Sequence, residues 1–250
     1  MITVIAAREL RRLLLSPLAW ALLAMIQGLL AWIFLLLVDD FRELQGRLAS
    51  LDNAPGVTDL VAAPLLRVAA WVLLLLIPLL TMRLFSEERR TRTLDLLFSA
   101  PVTMTEIVLG KYLGILVFLL MTVALIALMP LSLALGAALD PGKLLAGILG
   151  LSLLVAAASA AGLYLSVLTT QPAVAALTTM GLLLALWMVD AASTVPGTTG
   201  DLLGYLSLRR HYDTFLLGLF DSADFIYYLL FNATFLSLAI RRLDDLRLRD

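Results

Sequence analysis

The sequence contains no cysteine, which excludes a disulfide framework, a thiolate metal site and a cysteine nucleophile. It has one histidine, His211, so no site that needs two imidazoles can be assembled within the chain. Charge is scarce. Asp, Glu, Lys and Arg make up 15% of 250 residues, where an ordinary soluble domain carries about 25%. Eighteen basic against nineteen acidic side chains leave a net charge of −1, which argues against a nucleic-acid partner. What is abundant is apolar: 62% of the residues are hydrophobic and the mean hydropathy is +1.00. So small a chain cannot hide that much apolar surface from water. The composition therefore predicts an all-α polytopic membrane protein in contact with the lipid bilayer.

A helix rising about 1.5 Å per residue needs roughly 20 apolar residues to cross a hydrocarbon core about 30 Å thick. Six stretches qualify. They run from Pro17 to Val38, about Pro64 to Met82, about Ile107 to Leu135, Leu144 to Leu168, Pro172 to about Asp190, and Phe225 to Ile240. The last is the weakest, shortened and interrupted by Asn232. Short cytoplasmic loops keep an excess of Lys and Arg. With the N-terminus inside, that side holds Arg8, Arg11, Arg12, Arg83, Arg89, Arg90, Arg92, Lys111, Arg241, Arg242, Arg247 and Arg249. The outer side holds only Arg42, Arg47, Lys143, Arg209 and Arg210, with Arg67 at a helix entrance. Both termini are thus expected in the cytoplasm.

The first apolar stretch exceeds the roughly 7–15 residues of a signal-peptide core, and no small-residue cleavage site follows it, so it reads as a retained span. Before it, Ile2, Ala6, Leu10, Leu13 and Leu14 share one side of a helix and Arg8, Arg11 and Arg12 the other. Residues 1–16 are expected to form an amphipathic helix in the headgroup plane, or simply a positive flank for the first span. The first outer connection, about Asp39 to Ala63, is polar and reads as a solvated connector. The Thr169-Thr170-Gln171-Pro172 turn is explained by a threonine cap and a proline in the first helical turn.

The loop over 83–111, RLFSEERRTRTLDLLFSAPVTMTEIVLGK, is neither a tight turn nor a floppy linker. Its pattern predicts that the second span continues as helix, with four-residue charge pairs Arg83–Glu87 and Glu88–Arg92. A short helix from Thr93 to Ala100 follows, with Leu94, Leu97 and Phe98 on one face, and Pro101 ends it. Thr103 and Glu106 then form a capping box that starts the third span. Helix, transverse helix and helix make an elbow, and its exposed leucines require lipid or another protein to cover them.

This loop resembles the signature region of ABC-2 type transporter permeases. The resemblance rests on Phe85, the cluster Glu87 to Arg90, the run Thr93 to Leu97, Pro101-Val102 and Gly110-Lys111. The N-terminal ARELRRLLLSPLAW, and the segment from LSLRRHYDTF to LSLAIRRL near the C-terminus, are similar to the gliding-motility-associated branch. The similarity spans essentially the whole chain. Two positions depart from the pattern: many relatives have glycine at Arg92 and glutamate at Asp95. The resemblance implies one transmembrane domain, 1–250, in the plasma (inner) membrane of a bacterium. It implies a cytoplasmic coupling loop over 83–111, and re-entrant or interfacial helices in the outer loop 195–221. It also implies a second permease copy, most simply as a homodimer, and a separate cytoplasmic ABC ATPase; a periplasmic accessory protein is a further candidate partner. The elbow would then contact the ATPase through Leu94, Leu97 and Phe98, with Asp95, Pro101 and Glu106 shaping it. Glu87, Glu88, Arg89 and Arg90 would form a polar brace. The chain has no G-x-x-x-x-G-K-[ST] loop, because Gly110-Lys111 lacks the preceding glycine and strand. ATP is therefore expected on the partner and no cofactor on this chain, which reads as a permease subunit, mostly an exporter in this family, and not as an enzyme.

Single residues add little chemistry. His211 reads as a polar loop residue at headgroup level, and Arg67 as a side chain snorkelling to phosphates. Gln27 is the notable polar group in mid-membrane, a hydrogen-bond partner across a dimer or a candidate for the translocation path. Pro78 and Pro130 are candidate kinks, and the Ala/Ser/Gly run from Ala156 to Gly162 permits close helix packing. Three competing readings fit less well. An ion-coupled secondary transporter or channel needs midplane charges or repeated broken helices. An intramembrane serine protease would have only Ser159 and His211 to work with. A non-transporting membrane scaffold of an ABC assembly shares the loop but not the transport.

Overall fold

The computed structural model describes residues 1–48, 55–93, 102–192 and 204–248. Their order is α1 (Ile2–Leu14), α2 (Pro17–Leu48), a π-helical turn (Thr58–Ala62) running into α3 (Ala63–Thr81), and the five-residue α4 (Ser86–Arg90). Next come α5 (Met104–Ser132) with a 3₁₀ turn at Leu133–Leu135, α6 (Pro141–Leu168), α7 (Pro172–Ala192), the short α8 (Leu208–Leu216) and α9 (Ser222–Arg247). Six of these helical stretches are long and apolar enough to cross a membrane, which makes the chain an all-helical polytopic membrane protein.

Helix α6 is the hub. It packs against α3, α5, α7, α8 and α9, and 61% of its span is buried, against 11% for α2. The cause is side-chain size. Ala157, Ala158, Ala160 and Ala161 are fully buried, and small residues let helix backbones approach closely where lipid provides no hydrophobic drive. At Gly150 a Cβ would lie 2.6 Å from the Phe215 Cβ, so only glycine admits α8 at that distance. Helix α2 shows the opposite pattern. It buries a narrow stripe, Ala19, Ile26 and Leu30, at helical spacing, and exposes Trp20, Met25, Leu29, Trp32 and Leu35 on its remaining surface. Those side chains face outward, where a bilayer covers them.

The structure corrects two sequence expectations about the ends of spans. The first outer connection is shorter than 39–63, because α2 stays helical to Leu48. Extending a formed helix costs little per residue, and Arg42 pairs with Asp39 at 3.9 Å on the extension. The second span does not continue unbroken into the elbow. The chain turns over 82–85, and α4 begins again at Ser86, where Ser166 of α6 captures the backbone.

Candidate functional site

The elbow is built from the capping chemistry at its two ends. On the α5 side, Thr103 accepts from the Glu106 N–H at 3.3 Å while the Glu106 carboxylate accepts from the Thr103 N–H at 3.1 Å, the reciprocal box expected from sequence. On the α4 side, the helix closes in a left-handed turn. The Thr93 N–H donates to the Glu88 carbonyl at 3.0 Å and the Arg92 N–H to the Arg89 carbonyl at 3.3 Å, with Arg92 at φ 55°. That is the Schellman arrangement, whose left-handed position favours glycine.

Between these ends α4 is pinned on two sides. Towards α6, the Ser166 hydroxyl accepts from the Phe85 and Ser86 N–H groups at 3.0 and 3.1 Å and donates to the Met82 carbonyl at 3.0 Å. Arg89 donates to the Val167 carbonyl at 2.7 Å, satisfying an acceptor at the α6 C-terminus. Towards α5, the ammonium of Lys111, 2% exposed, lies 2.6 Å from Glu88 and donates to the Leu84 carbonyl at 2.7 Å. The same ammonium stands 4.9 Å from the centre of the Phe85 ring. Removing one partner of so buried an ion pair is far more destabilising than the pair's net worth, because the other charge is stranded.

Helix α1 completes the site. It crosses α5 over Gly110 and Gly114, where Cβ atoms would meet Ile5 at 2.6 Å and Glu9 at 2.7 Å. The Trp20 indole N–H donates to the Leu14 carbonyl at 2.6 Å and fixes the corner into α2. Glu9 is 7% exposed and lies 3.8 Å from Lys111.

The sequence-named site residues therefore divide. Glu88 and Arg89 turn inward to Lys111 and Val167, whereas Arg90 is exposed and Glu87 reaches Arg12 of α1 at 3.3 Å. The expected four-residue pairing of Arg83 with Glu87 and Glu88 with Arg92 gives way to these longer-range partners. Glu106 is held in its capping box. Leu94, Asp95, Leu97, Phe98 and Pro101 lie outside the described residues, as does the greater part of the helix expected from Thr93 to Ala100. Gln27 donates to the Thr122 carbonyl at 3.4 Å and so joins α2 to α5 within one protomer.

At the other end of the bundle, residues 195–203 of the expected outer loop are likewise outside the described residues, and α8 lies further along the loop. His211 is not an exposed loop residue. It is buried on α8, with Nδ1 2.5 Å from Asp224, Nε2 2.8 Å from the Tyr205 carbonyl, and its ring stacked on Tyr227. Arg67 is not merely snorkelling, since it pairs with Asp213 at 3.1 Å. Ser159 donates to the Ala156 carbonyl inside α6, and His211 is engaged by Asp224, so the two do not form a dyad. Glu9 and Ser166 escaped the sequence reading. Glu9 left one signal, a carboxylate three residues from Ala6 and four from Leu13 on the apolar side of α1; Ser166 left none.

Six membrane-length helices, with a pinned polar elbow between the second and third, make this a polytopic membrane protein of the permease type. Residues 48–202 match a family described as ABC-2 family transporter protein, and the chain belongs to that family, as a membrane permease subunit of an ABC transporter. The matched region contains α3 to α7 and the whole elbow. No curated protein sequence matches the chain significantly.

Proposed function

We propose that the chain is the membrane-spanning half of an ATP-driven exporter of the gliding-motility-associated branch, working as a homodimer in a bacterial inner membrane with both termini cytoplasmic. A separate cytoplasmic ATPase binds and hydrolyses ATP, and the elbow over 83–111 receives its movement. The observation that carries this reading is the double attachment of α4. A connection that merely links two spans has no use for a buried lysine on one side and a buried serine clamp on the other. A connection that must transmit force needs both, because an unsupported loop yields instead of moving its helices. Leu94, Leu97 and Phe98 supply the apolar contact to the ATPase, and exposed Arg90 and partly exposed Glu87 lie on the accessible side of α4. A periplasmic accessory protein would meet the opposite end.

The test is copurification of the tagged permease with its candidate ATPase in mild detergent, comparing wild type with Leu97→Asp/Phe98→Asp. Release of the ATPase from a permease that still elutes as a folded species is the expected result. Retention of the ATPase by the double variant would remove the elbow from the interface.

A further inference from the structure

An alternating chain of charges ties the elbow to α1. From α4, Glu88 faces Lys111 at 2.6 Å, Lys111 faces Glu9 at 3.8 Å, Glu9 faces Arg12 at 3.5 Å, and Arg12 returns to α4 at Glu87, 3.3 Å away. The order is anion, cation, anion, cation, anion, and every interior member lies between two opposite charges. Glu9 is the middle of the chain. It sits on the face of α1 pressed against Gly114.

Packing does not explain that carboxylate. Ile5, Leu10 and Leu13 already set α1 against the core, and a carboxylate at this position carries a desolvation cost that only its cationic partners offset. What a carboxylate adds is attachment to Lys111 of α5 and a hold on Arg12, one turn further along α1, that turns it towards α4. Lys111 holds Glu88 of α4 and the carbonyl of Leu84, and Arg12 holds Glu87 of α4. Because each cation is shared between Glu9 and an α4 carboxylate, α4 cannot shift without drawing on α1.

We infer that Glu9 is a positioning residue, binding α1 to the elbow through Lys111 and holding Arg12 of α1 towards Glu87, so that a displacement of α4 carries the amphipathic helix with it as one body. Helix α1 is then the second arm of the elbow and not a passive anchor. The inference rests on the elbow's proposed role as the part the ATPase moves.

The absence of native cysteine makes the test direct. Arg11→Cys on α1 and Thr91→Cys beside α4, both at exposed positions, are spin-labelled in lipid nanodiscs, and their separation is measured by pulsed electron resonance. The protein is measured alone and with its ATPase, with and without ATP and vanadate. The backgrounds are wild type, Glu9→Asp, Glu9→Gln and Glu9→Leu, each checked for thermal stability. The expected result is one narrow distribution in wild type and Glu9→Asp, unchanged by nucleotide. Glu9→Leu, which leaves Lys111 paired with Glu88, is expected to broaden the distribution at least twofold at a temperature where it remains folded, with Glu9→Gln following it. A Glu9→Leu protein with the wild-type distribution would overturn the inference, since a packing role is satisfied by leucine and a tie is not. Failure of the ATPase to bind wild type would count against the coupling reading alone, because the nucleotide-free comparison of the four backgrounds still decides whether Glu9 holds α1 to the elbow.

Discussion

Two short helices, α4 and α8, are held by the same long helix at sites 16 residues apart, Ser166 and Gly150, which is about 24 Å along α6. They are held by different forces. Helix α8 is sunk into the bundle. Leu208, His211, Tyr212, Phe215 and Leu216 are all buried, and hydroxyls from three tyrosines reach backbone carbonyls around it. Burial raises the pKa of the Tyr212 phenol far above its ordinary value of 10.0, so it stays a donor to the Leu66 carbonyl at any physiological pH. Helix α4 buries only Ser86 of its own five residues, and is fastened by ion pairs and by hydrogen bonds to Ser166 and Val167. Apolar burial is lost only by pulling the helix out. Paired charges can follow a moving partner. One end of the bundle is held as an anchor by apolar burial, and the other, by charge pairs, fits the joint proposed for the elbow.

The largest loss is expected at the anchor. Phe215→Ala is expected to cost about 3–5 kcal/mol, because Gly150 beneath the ring cannot fill the vacated space. A melting curve in detergent measures it, and a drop no larger than that of a surface substitution would mean α8 is not part of the core. At the joint, Lys111→Met strands Glu88 and leaves Glu9 with Arg12 alone. With those carboxylates not wholly buried, the expected loss is about 2–3 kcal/mol. The sharper expectation is where the loss appears. Limited proteolysis should cut the Lys111→Met protein faster near α4 and leave α8 as resistant as in wild type.

How much of this was legible in the sequence depended on the distance over which each interaction acts. The spans followed from apolar runs, and the Thr103–Glu106 box from a three-residue spacing, because those causes are local. The amphipathic face of α1 was equally plain. The i to i+4 charge pairs expected in the elbow are local too, and they lost. Lys111 lies 23 residues from Glu88, and Arg12 lies 75 from Glu87, yet each is the better-placed partner once α5 and α1 are packed. His211 looked like a loop residue because its partner, Asp224, stands on another helix. Ser166, one of several serines in apolar helices, carried no mark of its role at all.

Smaller effects sharpen the comparison. Thr103→Ala removes the cap at the foot of α5 and should lower stability by about 1 kcal/mol. Hydrogen exchange is expected to rise only in the first turn after Met104, and a global change would assign Thr103 a role beyond capping. Arg92→Gly relieves a left-handed non-glycine residue, partly offset by the greater freedom of glycine in the unfolded chain. A gain of about 0.5 kcal/mol is expected in a denaturation titration, and a loss would show that the arginine side chain holds the turn.

The division into anchor and joint is tested most directly by hydrogen–deuterium exchange on the permease–ATPase complex in nanodiscs, with and without ATP and vanadate. The account predicts nucleotide-dependent changes in protection over 83–93 and in α1 together, with α8 equally protected in both states. Changes confined to α8, with the elbow and α1 unaffected, would contradict it.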